Sequence, residues 1–170
     1  MRGATRIYAI DVNSGKFDIA KEFGATDCLN PTECDLKAKL LEKEKWGINF
    51  TYDCTGNVAV MRDALEMAHR GFGESTVIGV AAAGKEISTR PFQLVTGRCW
   101  KGTAFGGFKS VQDVPKLANK ALLNEMPIKK FITHNFDGLD KIQELVDALH
   151  GGQCLRGVLK ISDYQLPTPE

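Results

Sequence analysis

The sequence has no charge excess, no long apolar run, no C-x-x-C pair and no G-x-G-x-x-G loop. Each absence removes a class of function. Lys and Arg number 22 against 21 Asp and Glu, a net charge of +1 spread along the chain. That balance argues against nucleic acid or a membrane surface as the main partner. The apolar runs, such as Val80-Ala81-Ala82-Ala83, are far too short to span a bilayer. The first residues carry no apolar signal-peptide core, so a cytoplasmic protein is expected. The five cysteines, Cys28, Cys34, Cys54, Cys99 and Cys154, are odd in number and widely spaced, which argues against a disulfide framework or a zinc knuckle. They are expected to be reduced and mostly buried, as small hydrophobes. Gly71 and Gly73 lack a third glycine, and Gly102 to Gly107 has the wrong spacing. The turn that brings backbone N–H groups to a pyrophosphate is therefore not in this sequence.

What is present is a soluble-type composition, 43% hydrophobic and 25% charged, in 170 residues. That length suits one domain, or one domain with part of another. Short apolar runs alternate with helical patterns. Arg6 to Asp11 reads as a buried parallel strand, and Lys16 to Phe23 as a helix. Strands are expected at Ala25–Leu29, Asn49–Cys54, Ser75–Val80, Trp100–Phe105, Phe131–Asn135 and Gly157–Ile161. Helices are expected at Leu36–Lys45, Val58–His69 and Asp140–His150, with another from Ser110. Asn30-Pro31 reads as a strand stop. Ile87 to Val95 is expected to be extended, with Pro91 making it an edge or irregular strand. Ser110 and Asp113 resemble a capping box. Val111, Val114, Leu117, Ala118, Ala121 and Leu122 form a stripe expected to be buried, as do Ile142, Leu145, Val146 and Leu149 further on. The alternation predicts an α/β fold with a doubly wound parallel sheet. The tail from Ser162 to Glu170 is polar and expected to be loose.

From the residues alone Asp11 has two equal readings. It either caps the following helix or, at a strand's carboxyl end, accepts hydrogen bonds from ribose hydroxyls. Ile78 and Val80 alone would be core packing, and Arg156 alone a surface charge. Three longer segments decide between such readings: IYAIDVNSGKF, GVAAAGKEISTRPFQLVTGR continuing into CWKGTAFGGFK, and CLRGVLKI. Together they resemble the zinc-dependent medium-chain alcohol dehydrogenases, in the class of glutathione-dependent formaldehyde dehydrogenases. The similarity runs from about Gly3 to Ile161, with Cys99 standing where the family usually has threonine.

The resemblance implies an incomplete Rossmann-type sheet over residues 1–104, a C-terminal piece of the catalytic domain over 105–161, and the tail at 162–170. It implies NAD as cofactor. Asp11 and Lys16 would meet the adenosine ribose, and Cys54, Thr55 and Gly56 would line the adenine and ribose cleft. Ile78, Gly79, Val80, Thr103 and Phe105 would hold the nicotinamide, and Arg156 would pair with the pyrophosphate. The family's zinc ligands correspond to no residue of this chain, and His69, His134 and His150 match no catalytic position. In the family's 3-2-1-4-5-6 strand order the central first strand has no counterpart here, so the first two strands are expected to stand apart from the next three. The family function is NAD-dependent oxidation of S-(hydroxymethyl)glutathione and primary alcohols by a homodimer, with zinc holding the alkoxide. The isolated chain is expected to be inactive. The alternative is a non-catalytic module that dimerises or binds adenosine weakly.

Overall fold

The computed structural model describes residues 3–162. The chain divides into two compact units, one ending at Gly107 and one beginning at Phe108. In the first unit β1 (Tyr8–Ile10) pairs in parallel with β2 (Asp27–Leu29). Between them come a short 3-10 turn at Ser14–Lys16 and α1 (Phe17–Glu22). A second, separate sheet has β3 (Phe50–Asp53), β4 (Glu74–Val77) and β5 (Cys99–Gly102), all parallel with β4 in the middle. Among the described residues no ladder joins the two sheets. The expected separation of two strands from three is thus what the structure has.

Two helices tie these strands together. Helix α2 (Leu36–Lys43) begins where the Asp35 carboxylate accepts from Ala38 N at 3.0 Å. Just past its other end, Glu44 accepts from Arg6 at 2.8 Å and from the Tyr8 hydroxyl at 2.9 Å, binding the helix to β1. Lys43 pairs with Asp27 on β2. Helix α3 (Val58–Met67) starts at Asn57, whose side chain accepts from Ala59 N at 2.9 Å. Its apolar face supplies Met61, Ala64 and Leu65, which with Ala68 and Leu40 of α2 are the buried apolar residues of this unit. The orphan carbonyls at its end are met by Arg98, which donates to Ala68 O at 2.7 Å and Glu66 O at 2.9 Å.

Three local expectations fail in the first unit. Ile87–Val95 is not a strand: Phe92–Val95 forms the short helix α4, with Pro91 at its N-cap. Proline's fixed φ and missing N–H suit a helix start as well as a sheet edge. The fourth strand stops at Val77, leaving Ile78, Gly79 and Val80 beyond it. The fifth ends at Gly102, followed by a 3-10 turn at Phe105–Gly107.

The second unit holds α5 (Ser110–Leu122), β6 (Ile132–Asp137), α6 (Ile142–His150) and β7 (Arg156–Lys160), with β6 and β7 parallel. The capping box is half formed. Asp113 accepts from the backbone N–H of Lys109, which is the N-cap, while the Ser110 hydroxyl does not cap. The expected buried stripe of α5 is open, with Val111 90% exposed and Val114 and Leu122 also exposed. Ile142 and Leu149 of α6 are likewise exposed. Cysteine burial is corrected too: all five thiols are free, but only Cys154 is buried, and Cys54 and Cys99 are exposed. The tail expected over 162–170 lies outside the described residues beyond Ser162. Among the described residues no helix is long and apolar enough to cross a membrane.

Candidate functional site

Ten of the eleven sequence-picked residues lie in the first unit, and nine of these follow the carboxyl end of a parallel strand. Asp11 is the residue after β1, and its N–H still bonds to Leu29 O on β2 at 3.3 Å. One carboxylate oxygen accepts from Asn13 N at 2.8 Å, and the other sits 3.3 Å from Lys16 Nζ. Both side chains are partly open to solvent. Asp11 does not cap the helix that follows. Asn13 caps the intervening 3-10 turn, accepting from Gly15 N at 3.0 Å, and α1, with Lys16 at its N-cap, has no side-chain cap. Among the described residues one backbone donor and one lysine meet the Asp11 carboxylate, which leaves it lone pairs for further donors.

A second cluster is built on Asp53, the last residue of β3. It is 1% exposed, yet it is a carboxylate. Its oxygens accept from Thr55 N at 3.1 Å, the Thr55 hydroxyl at 2.7 Å and Gly56 N at 3.3 Å. Its backbone carbonyl takes the N–H groups of Ile78 and Gly79, both at 2.9 Å. The turns after β3 and β4 are thereby fastened together. Glycine is needed at both points of contact. A Cβ on Gly79 would lie 2.7 Å from Asp53 Oδ2 and 2.8 Å from Thr55 N, and one on Gly56, where φ is +75°, would strike the Val80 carbonyl.

Sequence reasoning named Cys54, Thr55 and Gly56 but missed Asp53. The signal was present: an Asp followed by Thr two places on and Gly three places on, at a strand end, reads as an Asx-type turn. Partial desolvation, then the Asp53 charge, pushes the Cys54 thiol up, so it is a poor nucleophile.

The outer part of the wall is apolar and open. Val80 is 92% exposed and Ile78 is exposed beside it. Thr103 and Phe105 follow β5, also exposed. Phe105 has φ +50°, a left-handed backbone uncommon for a bulky residue, and Gly106 and Gly107 continue it. Arg156 opens β7 and belongs to the second unit, exposed there.

The two clusters fit a nucleotide better than a metal. A partly open carboxylate with a lysine, and a glycine-lined turn that admits close backbone approach, are groups suited to ribose and flat rings. Among the described residues no three His, Cys, Asp or Glu side chains converge enough to hold a metal ion. The donor set here does not fit zinc. His69 instead stacks on Phe72 at 4.0 Å between ring centres.

The chain is 54% identical over 158 residues to the S-(hydroxymethyl)glutathione dehydrogenases of Photobacterium damsela and Haemophilus influenzae. Each match covers 92% of this chain and 42% of the relative, so the chain spans about two fifths of the length of these curated relatives. Among solved structures it superposes on the benzyl alcohol dehydrogenase of Acinetobacter calcoaceticus with a TM-score of 0.87 at 22% identity, covering 94% of this chain and 44% of that one. A zinc-binding dehydrogenase of Sinorhizobium meliloti, bound to NADP, gives 0.74 at 20% identity, covering 85% and 42%. At such identities the likeness speaks for the fold alone, an α/β architecture with parallel strands. Residues 1–122 match the family described as zinc-binding dehydrogenase, and the chain belongs to that family.

Proposed function

We propose that this chain is the cofactor-binding portion of an NAD-dependent dehydrogenase that oxidises S-(hydroxymethyl)glutathione and primary alcohols in the cytoplasm as a homodimer. The observation that carries the reading is the half-open Asp11 carboxylate at the carboxyl end of β1, paired among the described residues only with Asn13 N and Lys16. A carboxylate there accepts from a ribose diol and repels a 2′-phosphate. The name shared by relatives at 54% identity supports the substrate.

In this reading Lys16 balances the Asp11 charge and keeps the carboxylate turned toward the ribose. The backbone around Thr55 and Gly56 gives a flat approach for the rest of the nucleoside. Ile78 and Val80 offer an apolar face to the nicotinamide, while backbone groups at Thr103 and Phe105 hold its carboxamide. Arg156 offers a fork to the pyrophosphate. NAD, when bound, supplies the hydride acceptor. No residue described here is placed to hold zinc or to move the alcohol proton. That favours a second reading of the chain by itself, a nucleotide-binding module without turnover.

Titrating the chain with NADH by fluorescence or calorimetry tests the first step. Binding is expected, weakened about tenfold or more by Asp11→Ala, the scale of one or two charge-assisted hydrogen bonds. Equal binding by wild type and D11A would sink the ribose assignment. Assaying the same sample with NAD and S-(hydroxymethyl)glutathione separates the readings: turnover supports an autonomous enzyme, and binding without turnover supports the module.

A further inference from the structure

Asn30 is 7% exposed, and its side chain is the most heavily bonded polar group near the Asp11 turn. Its amide nitrogen reaches Val12 O at 3.2 Å, Ser14 Oγ at 3.1 Å and Glu33 Oε1 at 2.7 Å. Its oxygen accepts from Thr32 N at 3.0 Å and the Thr32 hydroxyl at 2.7 Å. Ser14 also reaches Glu33 Oε1, at 3.4 Å. The residue that reads in sequence only as a strand stop therefore joins two loops. Val12 and Ser14 belong to the turn after β1 that carries Asp11 and Lys16. Thr32 and Glu33 belong to the turn after β2.

The arrangement is costly unless it holds something in place. A buried amide without partners loses about 1–3 kcal/mol, so every bond to it constrains where the turn can sit. Val12 itself is 67% exposed, and the turn has no apolar anchor of its own. Asn30 supplies the anchor that burial does not. Glu33 adds a consequence of sign. Its carboxylate is bonded to the same amide and to Ser14, so it is tied to the turn that presents Asp11. A second negative charge there acts on any anionic group brought to the ribose.

We propose that Asn30 is the positioning residue of the ribose-binding turn, and that Glu33, held by it, is a specificity-determining residue that disfavours a 2′-phosphorylated nucleotide. The inference rests on the nucleotide reading above and adds, beside Asp11, a second part of this chain that selects between NAD and NADP types.

The test uses the full chain with NADH and NADPH as probes, measured by fluorescence titration at low and high salt. Glu33→Gln is expected to raise NADPH affinity about 3- to 10-fold more than NADH affinity, with the difference shrinking as salt screens it. Asn30→Ala is expected to weaken NADH about tenfold and to narrow the NADH-to-NADPH ratio. A purely structural role would lower the melting temperature and leave that ratio alone, which would overturn the proposal. So would an E33Q chain with the wild-type ratio, and this variant keeps the test open if N30A does not fold. A wild-type chain that binds no NADH overturns the nucleotide reading and this assignment together. One that binds NADH, with E33Q and N30A binding as it does, overturns only the assignment.

Discussion

The two units use the same kinds of element and differ in what those elements bury. In residues 3–107 α3 packs against β3 and β4, and Leu40, Met61, Ala64, Leu65 and Ala68 are all buried. In residues 108–162 the only buried apolar residue is Cys154, although α5 and α6 carry apolar stripes as regular as that of α3. The difference teaches that periodicity states which face of a helix is apolar. Whether the face is covered depends on what the chain has to lay over it.

The largest test of this contrast is a pair of truncations. Leu65, fully buried, should cost about 2–5 kcal/mol when changed to Ala, through lost transfer energy and a cavity. Leu122→Ala, at an exposed site, should cost less than about 0.5 kcal/mol. Chemical denaturation of both variants checks this. Similar losses would mean that α5 is covered in solution and that the contrast belongs only to the isolated chain.

A smaller effect compares the polar hub of each unit. Asp53→Ala leaves the Thr55 and Gly56 donors and the Thr55 hydroxyl without their acceptor, for an expected loss of about 2–3 kcal/mol. Thr133 in the second unit accepts from Leu155 N at 3.0 Å, and Thr133→Val should cost about 1 kcal/mol. Asp53→Ala should also weaken NADH binding, because the Thr55-Gly56 turn loses its side-chain anchor, although the backbone carbonyl of residue 53 still holds Ile78 and Gly79. A hub variant that melts lower but binds NADH unchanged would separate stability from the site.

Much of the first unit was legible in the sequence, because its signals are local. β1 is a short apolar run closed by Asp11, β3 is an aromatic and β-branched run closed by Asp53, and α3 shows its period directly. The separation of the sheets followed from the strand order that the family resemblance implied, not from a local signal. The failures each have a physical source. Pro91 satisfies two backbone contexts, an edge strand and a helix start, and sequence does not rank them. Asp113 could be seen as a box partner, but the backbone N–H that it meets belongs to Lys109, one residue earlier than the pattern suggests. Asp53 and Asn30 were passed over because a buried carboxylate or amide depends on partners gathered from neighbouring turns, which composition does not show. Asp11, by contrast, is picked out because IYAIDVNSGKF resembles the family's ribose-binding turn; its place at a strand end alone leaves two readings open.

The smallest expected effect lies in acid. Glu66 on α3 is held below its ordinary 4.5, first by the hydrogen bond from Arg62 at 2.9 Å, with desolvation opposing. Asp113 on α5 is held below its ordinary 3.8, first by Lys116 at 2.7 Å and then by the Lys109 N–H. A carboxyl depressed in the folded state contributes stability that is full above its unfolded value and is lost as pH falls through the folded one. Both units should therefore lose stability as pH drops from about 5 toward 3. Arg62→Ala removes the leading cause at Glu66, so the first unit's melting temperature should fall less steeply over that range, by about 2 °C. Lys116→Ala should flatten the second unit's response less, because the backbone N–H of Lys109 still favours the Asp113 carboxylate. Melting of each variant at pH 6 and pH 3, with amide exchange over 62–66 and 109–116, reads the two units apart. If R62A and wild type fall with the same slope, the acid sensitivity of the first unit comes from elsewhere, with Glu44 against Arg6 and Asp27 against Lys43 as the remaining depressed pairs.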